Sequence, residues 1–317
     1  MSSSTSSNKP FDAGYLAVGG GHRIAYEQHG NPQGIPALVL HGGPGSSSSP
    51  AQRQFFDLAD YRVIQFDQRG CGRSEPAGET SHNRTDLLLD DIESLRKHLQ
   101  IGHWLVVGGS WGATLAALYA AAHPVAVSGV LLRGLFLATE SDVHWFFHGA
   151  ASIYPNEWSA FSDPAPRNAH AELLPWLFQV FSREDLNLQN RVAQGWFAWE
   201  SALSGSPAIA PQEGEVLHKL IQRYRVQTHY LHNRCWLAEG AILNACAQLK
   251  TLPVCFLHGE SDAICRPQSS LLAHQACPGS QLEWVKEAGH DPFHPGMRKA
   301  MSDALSRFAR NGQFSAP

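Results

Sequence analysis

Short apolar runs alternate along the chain with amphipathic or alanine-rich stretches. Residues 37–40 (ALVL), 61–66 (YRVIQF), 104–107 (WLVV), 127–132 (VSGVLL), 254–258 (VCFLH) and 282–285 (LEWV) are dominated by large apolar residues and bounded by glycine, proline or polar positions. Runs of this kind predict strands buried on both faces. Residues 22–29 (HRIAYEQH) alternate more weakly and predict an early strand. Between the runs, Leu87, Leu88, Ile92, Leu95 and Leu99 recur at helical spacing, Ala113–Ala122 is rich in strong helix formers, and about 295–310 predicts a last helix. Strands alternating with helices imply an α/β fold, a mostly parallel central sheet with helices on both faces.

The alternation stops after Gly134. Residues 136–246 contain helical stretches, no convincing buried strand, and six of the nine tryptophans: Trp145, Trp158, Trp176, Trp196, Trp199 and Trp236. The expected organisation is a polar, disordered tail over 1–10, an α/β core built from 11–135 and 247–317, and a helical cap over 136–246 inserted between strands.

Where the run at 104–107 meets the helix at 113, the chain reads Gly108-Gly109-Ser110-Trp111-Gly112, a G-x-S-x-G pattern in a strand–turn–helix context. A serine on so sharp a turn projects above the sheet, and glycines two residues to either side let strand and helix approach. The helix N-terminus beside it favours developing negative charge. Ser110 is therefore the candidate nucleophile. It needs a base, and the base needs an orienting acid. On such a scaffold both follow the serine in chain order, on loops after late strands. Asp262 follows the run ending at His258, and His290 follows the run ending at Val285. Glu260 is the rival acid, and the position of Asp262 is preferred. The N–H of Trp111 and a donor at Gly43, in the loop His41-Gly42-Gly43-Pro44-Gly45, are the expected oxyanion hole. The loop D-Q-R-G-C-G-R-S (67–74) reads as a turn in which Asp67, Arg69 and Arg73 are structural.

Composition narrows the picture. The 317 residues suit one large domain with an insertion, or two domains. A net charge of −4 with unclustered lysine and arginine excludes a nucleic-acid surface. Ala113–Ala122 is too short to span a membrane, and the first eight residues lack a signal-peptide core. The six cysteines show no framework spacing and read as reduced, buried thiols of a cytoplasmic protein. His229 and His232 stand three apart without an evident third ligand, so no metal is expected. No nucleotide-binding glycine motif follows a strand, and no cofactor is expected.

Taken together, HGGPG (41–45), DQRGCGRS (67–74), GGSWGATLAALYAAAHP (108–124), LRGLFL (132–137), HWFF (144–147), WFAWE (196–200), the HY of 229–230 and AGH (288–290) resemble the proline iminopeptidase family of α/β-hydrolases, from about residue 10 to 310. The resemblance implies an α/β-hydrolase fold and metal-free release of an N-terminal residue, preferably proline, from short peptides or amino-acid amides with a free N-terminus. It implies a triad of Ser110, Asp262 and His290, with Gly43 and Trp111 as oxyanion donors. Glu200 then resembles the carboxylate that holds the substrate amine, Arg133 the residue near the substrate carbonyl, and Phe136 a wall of the proline pocket. Three positions depart from the family pattern. Gln227 replaces a second amine-binding glutamate, Phe147 replaces a pocket tyrosine, and His258-Gly259-Glu260-Ser261-Asp262 replaces the usual H-G-R-Y-D. An esterase or amino-acid amidase on the same scaffold is the alternative, and a catalytically silent ligand-binding relative is a third.

Overall fold

The computed structural model describes residues 9–206 and 210–315; residues 1–8 of the expected tail lie outside them. Eight strands form one sheet: β1 (Asp12–Gly19), β2 (His22–Gly30), β3 (Ile35–Leu40), β4 (Tyr61–Phe66), β5 (Trp104–Gly109), β6 (Val127–Arg133), β7 (Val254–Gly259) and β8 (Gln281–Val285). Their order is β1-β2-β4-β3-β5-β6-β7-β8. The pairs β1–β2 and β2–β4 are antiparallel, and every pair from β4 through β8 is parallel.

The helices are α1 (Thr85–His98), α2 (Trp111–Ala122), α3 (Glu140–Phe147), α4 (Pro155–Ser162), α5 (Leu173–Phe181), α6 (Leu186–Leu203), α7 (Gly214–His232), α8 (Ala241–Gln248), α9 (Gln268–Ala276) and α10 (Pro295–Asn311). The continuous apolar runs of the central strands follow from burial on both sides. Leu38, Leu40, Ile64, Phe66, Val106 and Leu132 join one core, with α1 and α2. Their neighbours Ala37, Val39, Val63, Leu105, Val107 and Leu131 join the other, against α10. A period of two thus feeds two hydrophobic layers.

The sequence reading did not identify β1. It is an edge strand whose residues alternate between half-buried and exposed, with Tyr15 46% exposed, so it leaves no continuous apolar run. Helices α3 to α7 stand together between β6 and β7. Their interior is aromatic: Trp196 stacks on Tyr224 at 4.5 Å, and Phe161 on Trp199 at 6.2 Å. Helix α8 packs on α2 and α9 instead, although most of it falls within the expected cap, 136–246. All six cysteines are free and buried. Among the described residues no helix is long and apolar enough to cross a membrane, and no cluster of three or more His, Cys, Asp or Glu is arranged to hold a metal ion.

Candidate active site

Pairing of β3, β5, β6 and β7 brings the C-terminal ends of four parallel strands side by side. Leu40 pairs with Gly108, Gly109 with Arg133, and Arg133 with Leu257. Ser110 follows directly, between β5 and α2, with φ 57° and ψ −126°. A non-glycine residue holds such a backbone only when its surroundings enforce it. Here Ser110 N–H donates to the Arg133 carbonyl at 2.9 Å, while the Ser110 carbonyl accepts from Ala113 and Thr114 at 2.9 and 3.2 Å. A Cβ at Gly108 would strike the Gly112 carbonyl, and one at Gly112 the Leu40 carbonyl. The G-x-S-x-G spacing is thus a close-approach requirement.

The HGGPG loop leaves β3 beside the nucleophile. A side chain at Gly42 would begin 3.4 Å from Ser110 Cβ, and Gly43 has φ +121°, where other residues are strained. Buried bonds fix this loop against the turn after β4. The Gln68 N–H donates to His41 Nε2 at 3.0 Å, Gln68 Nε2 donates to the His41 carbonyl at 2.9 Å, and Trp111 Nε1 donates to Gln68 Oε1 at 3.0 Å. Arg69 forks onto Asp91 at 2.6 and 2.7 Å, and Asp67 accepts from Arg73 Nε at 3.0 Å. The DQRGCGRS residues therefore brace the loops.

His290 Nδ1 lies 2.7 Å from Asp262 Oδ2. Asp262 Oδ1 accepts from the backbone N–H groups of Ile264 and Cys265 at 3.0 and 2.9 Å, and His258 Nε2 stands 3.4 Å from Oδ2. Burial would raise the Asp262 carboxyl, but the neighbouring His290 charge and hydrogen bonds from His258 and His290 hold it well below the carboxylate range. Asp262 stays ionised behind the imidazole. Ser110 Oγ meets Cys265 Sγ at 3.8 Å; no hydrogen bond to His290 is formed among the described residues. Triads of this kind often close only when substrate binds. Burial, reinforced by the Asp262 charge, drives the Cys265 thiol well above its ordinary value, so it remains protonated.

A cavity of about 360 Å³ opens above Ser110, lined by Ser110, His290, Gly43, Arg133, Phe136, Phe147, Glu200 and Gln227. Asp262 stands behind His290 outside this lining. Arg133 is buried and donates to the His290 carbonyl at 2.7 Å. Phe147 is fully buried and meets Trp196 edge-on at 5.5 Å. Helix α3, which carries Phe147, is clamped to the acid loop. Trp145 Nε1 donates to the Ala263 carbonyl at 2.9 Å, and Arg266 reaches Ser141 and Asp142 at 2.8 and 3.2 Å.

Sequence reasoning missed two neighbours. Cys265 sits against Ser110, and nothing in its spacing announced this. Arg223 Nη2 donates to Glu200 Oε2 at 2.6 Å, where the Tyr224 hydroxyl also donates at 3.0 Å, and Gln227 Nε2 donates to Oε1 at 3.0 Å. Glu200 is thus engaged from α7 and is not a solvated helix face. Arg223 stands four residues before Gln227, one turn along the same face, which was the available signal.

The family model for the alpha/beta hydrolase fold matches residues 36–296. The chain is 38% identical over 302 residues to a proline iminopeptidase of Neisseria meningitidis, covering 94% of this chain and 96% of the relative. It is 36% identical over 294 residues to a proline iminopeptidase of Arabidopsis thaliana, covering 91% and 77%. Among solved structures, a bromoperoxidase of Bacillus anthracis superposes with a TM-score of 0.65 at 20% identity, covering 95% of this chain and all of that one, a likeness of fold. With its elbow serine, its strand order and these near full-length matches, the chain belongs to the proline iminopeptidase family of α/β-hydrolases.

Proposed function

We propose that the chain is a serine exopeptidase that releases an N-terminal residue, proline foremost, from short peptides and amino-acid amides. One observation carries this reading: Ser110 on its strained turn and the His290–Asp262 pair meet at one cavity, which Glu200 also lines. Near full-length similarity to proline iminopeptidases supports it.

In the proposed reaction, Ser110 Oγ attacks the scissile carbonyl while His290 accepts its proton. Asp262, kept ionised, stabilises the imidazolium that forms. The N–H of Trp111, at the first position of α2, has no acceptor inside its own helix, and with the N–H of Gly43 it faces the oxyanion. Collapse expels the leaving amine, which takes the proton from His290. Water, deprotonated by the same imidazole, then cleaves the acyl-enzyme and restores Ser110. Phe136 and Phe147 flank the acyl group, Arg133 lies near the carbonyl, and helices α3 to α7 limit the length of peptide admitted. The free, buried cysteines support a cytoplasmic location.

A fluorophosphonate probe together with proline naphthylamide tests the reading. The probe is expected to label the wild-type chain and not Ser110→Ala. That variant should retain its melting temperature and lose about 10⁴-fold or more in kcat. Turnover near wild type in Ser110→Ala would put the nucleophile elsewhere. The contacts of Glu200 favour a second reading, an esterase or amidase acting on acyl groups without a free amine, because Arg223 already holds this carboxylate.

A further inference from the structure

The carboxylate expected to meet the substrate amine is already matched. Arg223 and Tyr224 occupy Glu200 Oε2, and Gln227 occupies Oε1. The guanidinium of Arg223 lies 5.3 Å over the Tyr224 ring, and Arg223 lines the same cavity as Glu200. The only other carboxylate in that lining among the described residues, Asp142, has Arg266 at 3.2 Å. Arg133 adds a buried guanidinium with no carboxylate within 4 Å among the described residues. The wall therefore carries two carboxylates, each with its own guanidinium, and a further cation, Arg133, whose charge Asp262 and Asp291 offset from a distance. An ammonium entering this space meets no unmatched anion and stands beside like charges, which repel strongly where water is scarce. Two buried polar atoms of this wall have no partner among the described residues, Arg223 Nε and Gln227 Oε1, and only the second is an acceptor. It accepts a hydrogen bond from an N–H of either charge state.

We infer that Arg223 is a specificity-determining residue: by occupying Glu200 it cancels most of the advantage of a positively charged amine, so acyl groups without one enter the pocket on nearly equal terms. This rests on the reading of Ser110 as the acylated nucleophile and of the cavity as its acyl pocket. The substrate class widens accordingly. Compact neutral esters and amides, whose acyl group fits between Phe136 and Phe147, join N-terminal prolyl substrates. The negative charge needed for strict amine selection is present in Glu200 but is spent on α7.

The test compares kcat/KM for proline naphthylamide and p-nitrophenyl acetate in the wild type, Arg223→Met and Arg223→Lys. Arg223→Met should raise the amide-to-ester ratio about tenfold, chiefly through KM for the amide, the scale of a close charge contact removed. Arg223→Lys, which keeps the charge, should hold the ratio within about twofold of wild type. An unchanged or lowered ratio in Arg223→Met overturns the inference. A measurement on the unaltered chain guards against a misfolded variant. Prolinamide and cyclopentanecarboxamide, alike in shape but differing in the ring amine, should inhibit ester hydrolysis with constants within about fivefold of each other. A preference for prolinamide of about a hundredfold or more would show Glu200 acting as a free anion and overturn the inference. Loss of both activities with no fluorophosphonate labelling would instead sink the underlying serine mechanism, and the inference with it.

Discussion

Two carboxylates stand at the candidate site, Asp262 behind His290 and Glu200 in the cavity wall, and they are held differently. Asp262 receives backbone N–H groups from Ile264 and Cys265, two and three residues along its own loop, before it receives His290. Glu200 receives side chains only, from Arg223, Tyr224 and Gln227, which lie 23, 24 and 27 residues away on another helix. A backbone donor survives any substitution but proline of the residue that supplies it; a side-chain donor does not. On the proposed function, the corner that performs the chemistry is therefore built into the course of the loops, whereas the wall that selects the acyl group can be rewritten one residue at a time. A common reaction with adjustable selectivity follows from that difference.

The most severe test of the contrast is Asp262→Asn. It should lower kcat about 10⁴-fold for proline naphthylamide and p-nitrophenyl acetate alike, because the acid orients His290 whatever the acyl group. Steady-state rates that spared the ester would erase the distinction between chemistry and selection. A smaller and uneven effect is expected of Glu200→Gln. It leaves Arg223 uncompensated beside an arriving amine, and kcat/KM on proline naphthylamide should fall by about 10²-fold. The ester should change only a few-fold. Equal losses on both substrates would make Glu200 a purely structural residue.

The mildest test concerns pH. In the folded chain the Asp262 carboxyl is held below its ordinary value of 3.8, so it binds a proton more weakly there than in the unfolded chain. Its contribution to stability is complete above that value and is lost as the pH falls through the lower, folded one. The melting-temperature gap between wild type and Asp262→Asn should therefore be widest near neutrality and begin to narrow below about pH 4. A gap constant down to pH 3 would show that the carboxylate contributes by packing, not charge.

The contrast also explains what could be read from the sequence. Strands β3 to β7 were legible because burial on both faces leaves continuous apolar runs, while β1 escaped notice because one of its faces meets solvent. Ser110 was legible because the elbow is local: glycine at 108 and 112 is demanded by neighbours within a few residues or by the adjacent strand. Asp262 and His290 could be located because chain order on such a sheet fixes where they fall. The Arg223–Glu200 pair depends on how α6 and α7 cross, and no residue pattern within either helix states that crossing. Gln227 gave the one usable hint, since whatever lies a turn before it shares its face. Cys265 could be read as a buried thiol, but its contact with Ser110 is made by loops from distant parts of the chain.

Helix α3 bears the aromatic side of the acyl pocket and is fastened to the loop that carries Asp262, through Trp145 to the Ala263 carbonyl and through Arg266 to Ser141 and Asp142. On the proposed reading, the width of the pocket and the position of the acid loop are thus mechanically linked. A bulky guest that displaces α3 must either break these fastenings or drag that loop, and in the second case the acid moves with it. In a molecule built this way, fit is judged by whether the bond is cut, and a misfitting peptide can sit in the pocket unharmed.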